Sequence, residues 1–125
     1  MRREARGFTL IELLVVMAII ATLVAIAAPR YFNSVQKSKE AVLRTDLATL
    51  RESIDKYYGD NGKYPGALED LVSQRYLRAL PVDPITESAA TWVTVPPPDT
   101  EKGGVFDVQS GASGNGRDGT PYNTW

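Results

Sequence analysis

The chain has no cysteine and no histidine. The first absence excludes a disulfide framework and any thiolate metal site. The second removes the commonest general base and the usual zinc ligand, so no nucleophile has a histidine to activate it. A basic excess is missing too: 14 Lys and Arg stand against 15 Asp and Glu, a formal net charge of −1. That balance gives no reason to expect a nucleic-acid partner. At 125 residues the chain has room for one small domain besides a membrane segment.

Charge is scarcest near the start. From Phe8 to Ala28 the run FTLIELLVVMAIIATLVAIAA holds one charged side chain, Glu12. Its length suits a helix crossing a bilayer, which takes about 20 apolar residues. A carboxylate in such a helix costs on the order of 2.5–3.5 kcal/mol on insertion scales, so it calls for a partner. Ahead of the run stands MRREARG, whose three arginines hold the N-terminus in the cytoplasm. Were the chain cut after Gly7, the new α-amino group of Phe8 would lie four residues before Glu12. Opposite charges about 4 Å apart gain roughly 4 kcal/mol at an effective dielectric of 20, which offsets the insertion cost. Pairing within one helix fits the i, i+4 spacing. Pairing with the amine of a neighbouring copy would turn the buried charge into an assembly signal.

Two plainer readings compete for these residues. A simple signal anchor explains the length and the arginines but not Glu12. A secretory signal cut at Ala25-Ile26-Ala27 would have an apolar core of about 7–15 residues, shorter than this one.

The order Gly7-Phe8-Thr9-Leu10-Ile11-Glu12, followed by an unbroken apolar run, resembles the class III signal of type IV pilins and type II secretion pseudopilins. The resemblance implies cleavage between Gly7 and Phe8 by a membrane-embedded prepilin peptidase, N-methylation of Phe8, and an assembly role for Phe8 and Glu12. Pro29 falls where that family has a helix-interrupting proline. Downstream, D-N-G-K-Y-P at 60–65, D-L-V at 70–72 and Y-L-x-x-L-P-x-D-P at 76–84 resemble the αβ-loop of the major pseudopilin. The implied protein is a structural subunit of a periplasmic filament that drives protein export. It would be anchored in the inner membrane with its C-terminal domain in the periplasm. Its implied partners are further copies of itself, minor pseudopilins, the peptidase, the inner-membrane assembly platform and lipid. The alternative is a type IV pilin of a surface pilus, serving adhesion, motility or DNA uptake. The lack of cysteine, the small domain and the run at 60–65 lean against it. An anchored enzyme is a third reading. Asp99, Glu101 and Asp118 have no evident paired environment, and no glycine-rich loop precedes a helix in the P-loop manner.

The expected organisation is a leader at 1–7, a membrane half of a helix at 8–29, an amphipathic half at 30–58, and a small domain at 59–125. At 100° per residue, Tyr31, Phe32, Val35, Val42, Leu43, Leu47, Leu50, Ile54, Tyr57 and Tyr58 share about half the circumference. Lys39 and Asp46 intrude on that side. Glu40–Arg44 and Glu52–Lys56 have the spacing of i, i+4 ion pairs. Pro29 lacks an N–H, which predicts a kink or local melting at Ala25–Pro29. That proline either marks the membrane exit or lets the subunit stretch as it packs. Gly59-Asp60-Asn61-Gly62 should end the helix.

A short amphipathic piece around Leu68, Leu71 and Val72 should follow, then strands at Thr91–Val95 and Val105–Val108, with a third short strand as an option. The fold class is α+β: a long helix packed on a small domain with a short antiparallel sheet. Beyond the helix about 67 residues remain, too few for a strong core of their own, so the domain must borrow the helix face. Tyr57 and Tyr58 are read as part of that core.

The closing run SGASGNGRDGTPYNTW is loop-like in composition, although Trp125 gains by being tucked in. The resemblance implies a calcium-binding loop here, for which Asp107, Ser110, Ser113, Asn115 and Asp118 offer hard oxygen ligands. Ser113 stands near where the family has an aspartate, and no D-x-D-x-D pattern exists. A loop pinned by its own turns and by Trp125 is the alternative. No other cofactor is called for.

Overall fold

The computed structural model describes residues 7–125. In chain order they form helix α1 (Leu10–Asn61), helix α2 (Glu69–Ser73), strand β1 (Val93–Val95), a 3-10 turn at Thr100–Lys102, strand β2 (Asp107–Gln109) and a 3-10 turn at Tyr122–Thr124. The chain divides into two compact units, Met1–Gln36 and Lys37–Trp125. The leader read at 1–7 lies outside the described residues except for Gly7.

In the first unit the stretch of α1 ahead of Pro29 is apolar on every side but for Glu12, and among the described residues none of its most hydrophobic window is buried. A helix hydrophobic all round belongs inside something else, a bilayer or a packed assembly. Ala25–Pro29 are helical, so the melting expected there is not a feature of this single chain. Pro29 withholds one rung from the ladder, and the turns on either side carry the helix past it. Tyr31 and Phe32, read as part of the apolar stripe, are exposed and meet edge to face at 5.8 Å.

In the second unit α1 buries Glu40, Leu43, Leu47, Leu50, Ser53, Ile54 and Tyr57. The alternating three- and four-residue steps put all of them on one stripe. This face is narrower than the one read from the sequence: Val42 is exposed and Tyr58 only half-buried. The four aliphatic residues pack with Leu68, Leu71, Trp92, Val105, Val108, Ala112 and Tyr122 in one core. The small domain does borrow the helix face.

The helix runs three residues past the expected boundary at Tyr58. Gly59 is accommodated within it, and Gly62 is the stop. Its φ of +70° is left-handed, and its N–H donates to the Tyr58 carbonyl at 2.8 Å. The chain then turns back, stacking Tyr64 on Tyr58 at 4.4 Å. Both α2 and the sheet lie near their expected places. β1 pairs antiparallel with β2, Val93 facing Gln109, Thr94 facing Val108 and Val95 facing Asp107. The second strand begins two residues later than expected because the Val105 N–H is spent on the Pro65 carbonyl at 2.9 Å. Among the described residues no third strand forms; isolated bridges join Asp83 to Ser88 and Asn115 to Pro121.

Candidate assembly site and the C-terminal anchor

At the N-terminal end, Thr9 immediately precedes α1, and the Glu12 N–H donates to its hydroxyl at 3.1 Å. Thr9 is therefore the N-cap and Glu12 the third helical residue, the spacing of a capping box. A carboxylate in the first turn also complements the positive end of the helix dipole. Phe8 is 82% exposed, and Gly7 has open space where a Cβ would stand. The Gly7–Phe8 bond thus lies just outside the helix and is open to approach. Beside it, Phe8, Ile11, Glu12, Val15 and Val16 line a shallow depression of about 420 Å³. One acidic group borders an otherwise apolar surface.

A second set of polar contacts ties the end of the chain to α1. Glu40, 9% exposed, accepts from the Arg117 N–H at 2.8 Å and the Tyr122 hydroxyl at 3.1 Å. One turn on, the Arg44 guanidinium lies 3.9 Å from the centre of the Trp125 ring and 3.4 Å from Asp118. Two turns further, Arg51 donates to Asp107 at 2.8 Å, to the Val108 carbonyl at 3.0 Å and to the main-chain oxygen of Trp125. The Trp125 indole N–H donates to the Thr120 hydroxyl at 2.7 Å, and its ring meets Tyr122 at 5.1 Å. The closing segment is held, as the terminal tryptophan suggested.

Comparison with known proteins joins these two regions to a family. Residues 2–28 match the prokaryotic N-terminal methylation motif. Type II secretion system core protein G of Pseudomonas aeruginosa is 34% identical, over 66% of this chain and 70% of that protein. Its namesake in Vibrio cholerae is 30% identical over 93% of this chain and 90% of the relative. The Dickeya chrysanthemi protein of that name is 29% identical over 95% and 97%.

The chain belongs to the type II secretion system core protein G family.

No solved structure matches it. Membership makes it a pseudopilus subunit of type II secretion, in line with the resemblance seen in the sequence. The names of these relatives denote a component of a secretion system rather than a catalyst. An apolar N-terminal helix in such a protein fits an inner-membrane anchor.

Several of the donors considered for calcium have other partners within the chain. Asp107 is engaged by Arg51, and the Ser110 hydroxyl donates to the buried Asp83. Asp118 accepts from the main chain and hydroxyl of Thr120, and these bonds, the hydroxyl's first, lower its pKa. Ser113 and Asn115 are exposed. No group of three or more acidic side chains suited to a metal occurs among the described residues.

The pairing of Glu40 expected from its spacing is not the one that forms. Arg44 stands one turn on, yet Glu40 turns inward to the closing segment and Arg44 pairs with Asp118. The other expected pair does form, Lys56 to Glu52 at 3.3 Å. Thr9 was legible as the first residue of T-x-x-E and carries a structural role that the family motif hides. Arg51 left no comparable trace, since its three partners come from 56 to 74 residues away.

Proposed function

We propose that the chain, cut between Gly7 and Phe8 by a prepilin peptidase and methylated on the Phe8 amine, packs into a helical filament. The filament is rooted in the inner membrane and drives exported proteins through an outer-membrane channel. The N-terminus lies on the cytoplasmic side before extraction, and Lys37–Trp125 lies in the periplasm. Copies of this chain, minor pseudopilins and the inner-membrane assembly platform are its partners. Glu12 of one copy neutralises the Phe8 amine of the next and sets the axial step. Burial of the apolar helices supplies affinity. In the packed filament, unwinding next to Pro29 lets the subunit lengthen, since that turn already lacks one hydrogen bond.

The observation that carries this reading is the exposed apolar stretch of α1 ahead of Pro29, whose single carboxylate, Glu12, sits in the first turn, four residues after Phe8. Because Glu12 also stands at the third helical position, its charge is tested with a side chain of the same shape. Glu12→Gln keeps the shape of the side chain and a polar end group and removes the charge. Mass analysis should find both Glu12→Gln and Glu12→Ala cut before Phe8, while filaments and secretion of a reporter protein are lost in both. Filaments of normal appearance from Glu12→Gln would reject the charge pairing. A deletion strain that still secretes the reporter would instead point to a surface pilus.

A further inference from the structure

The place where the family resemblance implies calcium already contains a cation. Arg51 leaves α1 beside the buried stripe, between Leu50 and Ser53. Its Nε donates to the Asp107 carboxylate at 2.8 Å, and one terminal nitrogen donates to the Val108 carbonyl at 3.0 Å and to the main-chain oxygen of Trp125. One carboxylate and two main-chain oxygens are the hard donors that a calcium loop would offer. A guanidinium meets such a set with donors in a fixed planar fork, and its charge persists at every physiological pH. Ser110 and Asp118, which would complete an ion's shell, are committed to Asp83 and to Thr120 and Arg44. A divalent ion approaching Asp107 would also meet the positive charge beside it.

We propose that Arg51 is the built-in cation of the closing segment. It neutralises Asp107 and gathers β2 and Trp125 onto α1, so this member of the family folds its C-terminal segment without calcium. The proposal concerns the domain alone and stands whether or not Glu12 sets the filament's step.

The test uses the full chain, extracted in detergent and stripped with EGTA. Wild type should show the same melting temperature and the same hydrogen exchange over 107–125 in EGTA and in millimolar calcium chloride. Calorimetric titration with calcium should give no saturable binding. In Arg51→Met, exchange over 107–125 should rise about tenfold, the scale of lost charge-assisted bonds discounted for partial exposure. Arg51→Lys should recover part of this, because an ammonium keeps the charge but not the fork. Saturable calcium binding by wild type that raises its melting temperature would overturn the proposal. So would Arg51→Met with wild-type exchange over 107–125. If Arg51→Met does not accumulate, the wild-type titration and Arg51→Lys decide.

Discussion

The inward turn of Glu40 makes a prediction that separates two geometries. By spacing alone it pairs with Arg44; in the structure it accepts from the Arg117 N–H and the Tyr122 hydroxyl, both on the same carboxylate oxygen. A hydrogen bond to a charged group contributes about 1.5–3 kcal/mol net. Burial of the carboxylate works against that gain, since a desolvated charge is costly unless well paired. Replacement by Leu loses two such bonds and recovers part of the desolvation, which leaves a loss of about 2–3 kcal/mol. Glu40→Gln keeps an acceptor of similar shape without the charge and should cost about half as much. Tyr122→Phe removes one of the bonds and should cost about 1–2 kcal/mol.

The decisive quantity is the coupling. In a double-mutant cycle, Glu40→Leu with Tyr122→Phe should fall short of the sum of the single effects by about 1–2 kcal/mol. Glu40→Leu with Arg44→Met should be additive to within about 0.5 kcal/mol. Denaturation of the full chain in detergent, followed by near-ultraviolet dichroism from Tyr122 and Trp125, measures both. For a domain of this size each kcal/mol moves the midpoint by roughly 4–8 °C. Additive effects for Glu40 and Tyr122, with coupling and salt sensitivity for Glu40 and Arg44, would refute the inward geometry and restore the surface pair.

Other expectations follow from single sites. Gly103 has a φ of +127°, and a Cβ there would collide with the Tyr64 carbonyl, so Gly103→Ala should lower stability by about 2 kcal/mol or more in the same melt. Asp46 has its pKa raised, first by burial and then by the nearby charge of Asp83. The folded state therefore holds that proton more tightly than the unfolded chain. The stability this contributes is present below the ordinary aspartate range and is lost as pH rises through the raised value. Asp46→Asn should accordingly raise the melting temperature at neutral pH and have little effect in acid. A variant that destabilises equally at both would contradict the assignment.

How much of this was legible depended on how far each interaction reaches along the chain. The membrane run, the stripe through Leu43, Leu47, Leu50 and Ile54, and the Glu52–Lys56 pair are local patterns, and each is present. The hairpin was legible from its β-branched runs, although its second strand shifted once Pro65 claimed the Val105 N–H. Glu40 was misread because a local partner was available and the actual one lies 77 residues away. Val42 was misread because angular position cannot say how wide a face the rest of the domain will cover. The helix end moved because two glycines qualified and only Gly62 takes the left-handed turn.

The missing cysteines and the polar contacts along α1 are two sides of one problem. A segment as rich in glycine and polar residues as 110–125 buries too little to order itself, and no covalent link is available to hold it. Glu40, Arg44 and Arg51 recur at four and seven residues, so they form a polar seam beside the apolar one. Between them they engage Arg117, Tyr122, Trp125, Asp118 and Asp107. The domain thus completes itself with side chains from its own helix, whereas the most apolar stretch of the helix before Pro29 is left unburied among the described residues. The two halves of α1 should therefore respond to mutation independently. Changes at 40, 44 or 51 should lower the domain's melting temperature, and Glu12→Gln should leave it unchanged while abolishing filaments. If Glu12→Gln lowered that melting temperature as well, the seam and the assembly charge would be one coupled system, and this division of labour would be wrong.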